Sequence, residues 1–303
     1  MGSATASQGY RQYQTIELTP LGMTTLNFSD IYVATRFWQE DPARSAARLG
    51  QLCKFIDAML ALGVGGIGVA VNVDKDCSGA IDHIATRYGK KVDVFAVTPW
   101  GKFVPALEAL LRRASAAGFE KLLCASAEVE MDALTLAALD SEVNETILVA
   151  GLRMHGHQFE SGEHACDGEH SPWNTAALWR IKNGLDRIGF ASSGEALADP
   201  TGENAGVEEV STIAIYQKLY GDCGAVLIQA AGTTWNIELS SKTDTLNKKL
   251  STKNSRPAWQ LKHALLEPGR VLHKETGRDS EYVSADTVIK KLEDMLAKEK
   301  ARR

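Results

Sequence analysis

The stretch Lys121–Asp132, K-L-L-C-A-S-A-E-V-E-M-D, decides how the rest of the chain is read. Its short apolar opening has the length and composition of a buried strand. The strand then breaks into small residues, and two acids, Glu128 and Glu130, stand just past its end. In open α/β sheets, ligands bind in the crevice outside the carboxyl ends of the strands. Acids at that place are positioned to hold a metal ion or a charged substrate; solvated loop charges are the simpler alternative.

Working outward from that strand, the preceding chain repeats strand and helix. Asp30 and the following I-Y-V-A-T-R-F suit a first strand ending near Thr35 and Arg36. A helix starts at Asp41-Pro42, since proline fits a first turn. Its apolar positions, Ala46, Leu49, Leu52, Phe55, Ile56, Met59 and Leu62, recur at threes and fours. Ile67 to Val73 is a second strand, Ala80 to Tyr88 a helix, Val92 to Val97 a third strand and Phe103 to Ala117 a helix. After the quoted stretch come a short helix, Ala133 to Leu139, and a fifth strand, Thr146 to Leu152. Near-continuous apolar strands alternating with helices predict an α/β fold, a mostly parallel central sheet flanked by helices on both faces.

From Met154 to Trp173 the pattern gives way to a long polar loop. Asn174 to Ile188 reads as mostly helical, and Val207 to Tyr220 as an amphipathic helix. Ala225 to Ala231 and Thr233 to Leu239 read as strands, drawn as one hairpin around Gly232. A helix near Ala258 to Leu266 and a charged one from Ser284 to Lys300 complete a C-terminal helical extension. The expected organisation is an N-terminal extension over 1–28, a catalytic domain over 29–240 and a tail over 241–303. The division of the domain falls at 29–153 and 154–240.

Composition narrows the classes. The 303 residues are 44% hydrophobic and 23% charged with net charge −5, ordinary for a globular protein. No clustered basic footprint for nucleic acid is evident. Five scattered cysteines argue against a disulfide framework and for a reducing compartment. The N-terminus has no signal-like apolar stretch, and glycines and Asp57 break the longest apolar region, so no membrane span is expected. The expectation is a soluble, cytoplasmic protein.

The Rossmann, P-loop and nucleophile-elbow fingerprints are all missing. Four other features occur in order: V73-D-K-D-C-S-G79 after the second strand, G101-K102 before a helix, S126-A-E128 after the fourth strand, and G206-V-E-E209 opening a later helix. In that order, over about residues 29–230, they resemble a glycosyltransferase of the GT-A fold, closest in layout to the inverting family 2 enzymes. The resemblance implies transfer of a sugar from a UDP- or GDP-sugar donor to an acceptor hydroxyl, by direct displacement and with Mn or Mg at the diphosphate. It implies nucleotide contacts from Thr35, Arg36, Asp74, Asp76, Gly101, Lys102 and Ser126. Glu128, helped by Glu130, would hold the metal; Trp173 and Asn174 would meet the sugar or acceptor. Glu208 or Glu209 would be the general base. Ser126-Ala127-Glu128 departs from the family's Asp-x-Asp by one carboxylate, which motivates the alternative of a nucleotide-sugar-binding or scaffold subunit without transferase activity. A sugar-phosphate nucleotidylyltransferase is disfavoured, because no Gly-rich loop follows the first strand. The acceptor is open, and a homo-oligomer is compatible with the sequence.

Two clusters stand apart. His155, His157, His164, Cys166 and His170 offer zinc-ligand types, but their spacing matches no closed finger, and solvated histidines are the simpler expectation. Lys248, Lys249, Lys253 and Arg256 form a basic run that would either close over a diphosphate or be solvated. Trp179, within a helical pattern, is expected in the core.

Overall fold

Side-chain alternation along the strands shows why the sheet is covered on both faces. The computed structural model describes residues 26–38, 44–74, 77–101, 104–190, 207–221, 224–235 and 255–276. In β1 (Phe28–Phe37), Tyr32 and Ala34 join one buried cluster, whereas Ile31, Val33 and Phe37 join the other. In β4 (Lys121–Ala125), Leu122 and Cys124 face the first cluster, Leu123 and Ala125 the second. Strands apolar on both sides need helices on both sides. α1 (Ser45–Leu62), α2 (Ser78–Tyr88) and α4 (Ala133–Glu142) cover one face through Leu52, Phe55, Ile56, Ile84, Leu136 and Leu139. α3 (Val104–Ala116) and α6 (Glu208–Tyr220) cover the other through Leu107, Leu110, Val210 and Ile213. Between α4 and α6 in the chain lies a single helical turn, α5 (Asp186–Ile188).

The remaining strands of the main sheet are β2 (Val64–Asn72), β3 (Asp93–Val97), β6 (Ile147–Leu152), β7 (Gly162–Ala165), β8 (Ala176–Arg180), β9 (Gly224–Gln229) and β11 (Arg270–Glu275). Nine strands run in the order β3-β2-β1-β4-β8-β6-β9-β11-β7. All neighbours are parallel except β8, antiparallel to both β4 and β6, and β7, antiparallel to β11. A second sheet pairs β5 (Val129–Met131) with β10 (Thr233–Trp235). α4 begins at Asp132, whose carboxylate accepts a hydrogen bond from the Thr135 N–H at 2.7 Å, a side-chain N-cap.

Three local expectations give way. The segment from Asn174 is not mostly helical: it forms β8, then a wide turn over Ile181–Leu185 and the single turn α5. Ala, Leu and Arg favour a helix, but Ala176, Ala177, Leu178 and Trp179 are each fully buried between β4 and β6, and tertiary pairing overrides propensity. β9 and β10 are not one hairpin, because β9 lies in the main sheet and β10 crosses to β5. The C-terminal segment is not only helical: after α7 (Ser255–His263) it supplies β11, which buries Val271 and His273 and completes the sheet beside β9. The helix expected over 284–300 lies outside the described residues.

Glycines in β2 leave the space that the Tyr32 ring fills. A Cβ added to Gly68 would stand 2.3 Å from Tyr32 Oη and 2.7 Å from Leu110 Cδ2. Gly68→Ala is therefore expected to destabilise the protein by about 1–3 kcal/mol through overpacking. The measurement is the midpoint of urea unfolding, which should fall at unchanged m-value.

Candidate functional site

The chain runs from β1 through β2 to β3 on one side and then returns to place β4 on the other side of β1. The gap between the carboxyl ends of β1 and β4 is thus a topological switch point, the place where such sheets bind ligands. A cavity of about 180 Å³ opens there. Arg36 and Phe37 line it from β1; Arg44, Ala47, Arg48 and Gln51 line it from the start of α1; Ala127 and Glu128 line it from the turn after β4. The turn is held on three sides. Val129 N–H donates to Ser126 O at 3.0 Å, Ser126 N–H to Thr175 O at 2.9 Å, and Gln51 Nε2 to Ala127 O at 2.9 Å.

Within the turn, the Ser126 hydroxyl donates to Glu128 Oε2, while Glu128 Oε1 lies 3.7 Å from Arg48 Nη2. Glu128 is buried; Glu130 is exposed on β5, paired across from Thr234. The two acids therefore do not converge as a ligand pair. Among the described residues, no group of three or more His, Cys, Asp or Glu side chains is placed to share a metal ion. The donor set tests poorly for a divalent ion held by the protein. Its one inward carboxylate already faces a guanidinium, and two unit charges about 4 Å apart interact by about 4 kcal/mol at an effective dielectric near 20. A cation seated beside Glu128 would meet repulsion of that order, reduced by the partial exposure of Arg48.

Asp74 occupies the neighbouring strand edge. Its carboxylate accepts from Thr98 Oγ1 at 2.5 Å and from the Trp100 N–H at 2.8 Å, binding the turn after β2 to the loop after β3. Those two hydrogen bonds, the Thr98 one foremost, hold its pKa below the ordinary aspartate value. Asp74 thus stays ionised and exposed at the edge. Gly101 follows at a positive φ of 59°, also exposed. Asp76 and Lys102 lie outside the described residues, as do Lys248, Lys249 and Lys253. Thr35 is fully buried, and its hydroxyl makes no hydrogen bond among the described residues, so it borders the cavity only through its neighbour Arg36.

The second charged centre opens α6. Val207 takes a left-handed conformation, φ 59° and ψ 43°, which is strained for a β-branched residue and turns the chain so that Glu208 and Glu209 enter the interior. Both are buried, at 4% and 3% exposure. Asn174, in the turn before β8, holds both: its N–H donates to Glu209 Oε1 at 2.7 Å and its Nδ2 to Glu208 Oε1 at 2.9 Å. Its Oδ1 in turn accepts from Trp179 Nε1 at 2.7 Å. Arg36, Glu208 and Glu209 all act on the Cys124 thiol, whose pKa is pushed far up by burial first and then by the two glutamates, with Arg36 opposing. The arginine of the cavity and the glutamate pair therefore lie around the same strand end. Trp173 is not an exposed sugar platform. It is 1% exposed, stacks on His157 at 3.7 Å and donates from Nε1 to Gly168 O.

No protein-family model and no curated protein sequence matches the chain. Solved structures do. The chain is similar to the mannosyltransferase PcManGT from Pyrobaculum calidifontis, determined with GDP-Man and Mn2+, at 13% identity and a TM-score of 0.39, covering 53% of this chain and 46% of that one. It is similar to residues 1–349 of TarS from S. aureus at 16% identity and a TM-score of 0.36, covering 60% and 54%. A protein assigned as a nucleotide-diphospho-sugar transferase from Desulfovibrio desulfuricans G20 matches at 8% identity and a TM-score of 0.38, covering 89% and 97%. The matched region spans about half the length of the first two. Among the described residues, no helix is long and apolar enough to cross a membrane.

The cavity shows what the sequence reading passed over. Arg44, Arg48 and Gln51 sit in a helix that reads as an ordinary amphipathic one. A detectable sign was the pairing of two arginines, four apart, at a helix start, against the helix dipole.

Of the loop's histidines, His155 is exposed, as expected, whereas His157, His164 and His170 are packed. His157 is buried, with Nδ1 accepting from the Met154 N–H at 2.8 Å and Nε2 donating to Ser171 O at 2.9 Å. His164 and His170 stack at 5.1 Å and lie 4.3 Å and 5.6 Å from His273, a residue of β11 that sequence reading did not include. Stacked faces do not aim ring nitrogens at a common point, so the group is a packing cluster. His273 is buried, and burial, then the neighbouring His164 and His170, lowers its pKa, against an opposing hydrogen bond to His170 O. A histidine with a depressed folded pKa binds its proton more readily when unfolded, so stability is full above about pH 6.5 and is lost as pH falls below that value. Urea unfolding at pH 7.5 and 5.5 should show this loss, and His273→Gln should make the two midpoints more nearly equal.

Proposed function

We propose that this protein is a glycosyltransferase that takes a sugar from a UDP- or GDP-sugar and passes it to an acceptor hydroxyl. What supports the reading is an arginine-lined cavity at the β1/β4 switch point together with a buried glutamate pair held by Asn174 in the turn before β8. Diphosphate is a ligand group whose charge and paired oxygens suit planar guanidinium forks. Asp74, ionised at the adjoining edge, is positioned to meet the base or ribose.

In this reading, Glu208 or Glu209 takes the proton from the acceptor oxygen as that oxygen attacks the anomeric carbon, and the sugar–diphosphate bond breaks with its electron pair on the departing nucleotide. Inversion follows from the single displacement. Asn174 fixes how the two carboxylates are turned, because one oxygen of each accepts a hydrogen bond from it. PcManGT was determined with Mn2+; for this chain Mn or Mg was the family expectation, and the residues around Glu128 do not fit a protein-held ion, so no step is assigned to one.

A second reading has its own observation. Ser126 hydrogen-bonds Glu128, and both members of the glutamate pair are nearly inaccessible, an arrangement that also suits a nucleotide-sugar-binding subunit without transfer. A panel of UDP- and GDP-sugars, assayed for release of free nucleotide with and without simple acceptors, separates the two. Transfer predicts that Glu208→Gln or Glu209→Gln, whichever is the base, lowers turnover by about 10²–10⁴-fold with donor affinity little changed. Donor binding without turnover across the panel would establish the binding subunit instead. No binding of any nucleotide or nucleotide sugar would overturn both.

A further inference from the structure

Helix α1 begins against electrostatic expectation. Its first backbone N–H groups have no intrahelical partners and carry the positive end of the helix dipole. A helix start is normally relieved by an acidic side chain or a capping oxygen. Here Arg44 stands at the cap with no side-chain cap hydrogen bond, and the first turn contains no acid. Arg48 follows one turn later, its guanidinium 4.8 Å from the centre of the Trp38 ring, so its stem and plane are fixed by stacking. Both residues, with Arg36 from β1, line the cavity at the switch point. Among the described residues, the lining thus takes in two arginines of α1, the backbone at the end of β1, a helix N-terminus and Glu128.

We infer that arginines take the place of a metal ion at this site: Arg44 and Arg48, with the α1 N-terminus, neutralise the diphosphate of a nucleotide ligand. The inference rests on the nucleotide-sugar reading for its ligand. Ser126 and Glu128 acquire a role in it. Glu128, held by the Ser126 hydroxyl, points at Arg48 and sets the direction of its guanidinium, rather than coordinating a cation. Guanidiniums remain charged across the physiological range and present paired donors to phosphate oxygens, so diphosphate binding does not depend on free divalent ion.

The test is calorimetric titration of the full chain with UDP, GDP and inorganic pyrophosphate, each in EDTA and each in Mn2+. The expected result is binding of at least one nucleotide in EDTA with affinity close to that in Mn2+. Arg48→Gln and Arg44→Gln should each weaken it by about ten- to a hundred-fold, the range of one or more charge-assisted hydrogen bonds. Glu128→Gln, which loses only the group that directs Arg48, should weaken binding to the same extent in EDTA and in Mn2+. Thermal unfolding checks that each variant folds, and where Arg48→Gln does not, Arg48→Lys, which keeps the charge without the fork, should still weaken binding. Nucleotide binding that requires Mn2+ and disappears in Glu128→Gln would overturn the inference while leaving the nucleotide reading intact. Pyrophosphate binding lost in Arg48→Gln, with neither nucleotide bound, would support the arginine site and overturn the nucleotide reading. No binding of any of the three would overturn both.

Discussion

The carboxyl edge of the sheet depends on the insertion of β8 between β4 and β6. β4 and β6 run in one direction, and only an antiparallel strand that starts at the carboxyl edge can fill the gap and still deliver its preceding loop there. That loop carries Asn174. Trp179, on β8 itself, anchors the Asn174 side chain from within the core, and Asn174 in turn fixes Glu208 and Glu209 at the start of α6. The same insertion ties down the turn after β4, since Ser126 N–H donates to Thr175 O just before β8 begins. One buried strand therefore sets both charged centres.

Much of the first half was legible from residue pattern. The strands β1 to β4 are apolar on both faces, and the helices between them bury stripes at threes and fours, so period and length agree with the folded result. The second half was less so, for a physical reason. Ala176 to Arg180 has the composition of a helix and becomes a strand because two neighbours supply its hydrogen bonds. Arg270 to Glu275 alternates correctly for a strand, but charged residues on its outer face hide the two inward ones, Val271 and His273. Neither partner is near in sequence, so no local window contains the cause.

The site divides in the same way. Glu208, Glu209 and Asn174 could be singled out only through the order of motifs that carries the family resemblance; that one asparagine holds both acids is a long-range fact. Glu128 was legible as an acid beyond a strand end; Arg44 and Arg48 left a weaker sign, two arginines at a helix start, and nothing local pairs Arg48 with Glu128. Trp173 shows the converse. Its position in a polar loop suggested an open aromatic face, whereas the loop folds back so that His157 and the Gly168 carbonyl occupy it.

The far edge of the sheet has a consequence for how the chain is made. Among the described residues, β7 pairs only with β11, with Ala165 opposite Arg270, and β11 is the last described strand in the chain. A ribosome therefore releases β7, and the stacked His164 and His170 beside it, long before the strand that receives them exists. Until then β9 and β7 both present unpaired edges, the feature most prone to non-native pairing in a nascent protein. The 154–173 segment is polar in composition, which disfavours such pairing while that edge waits.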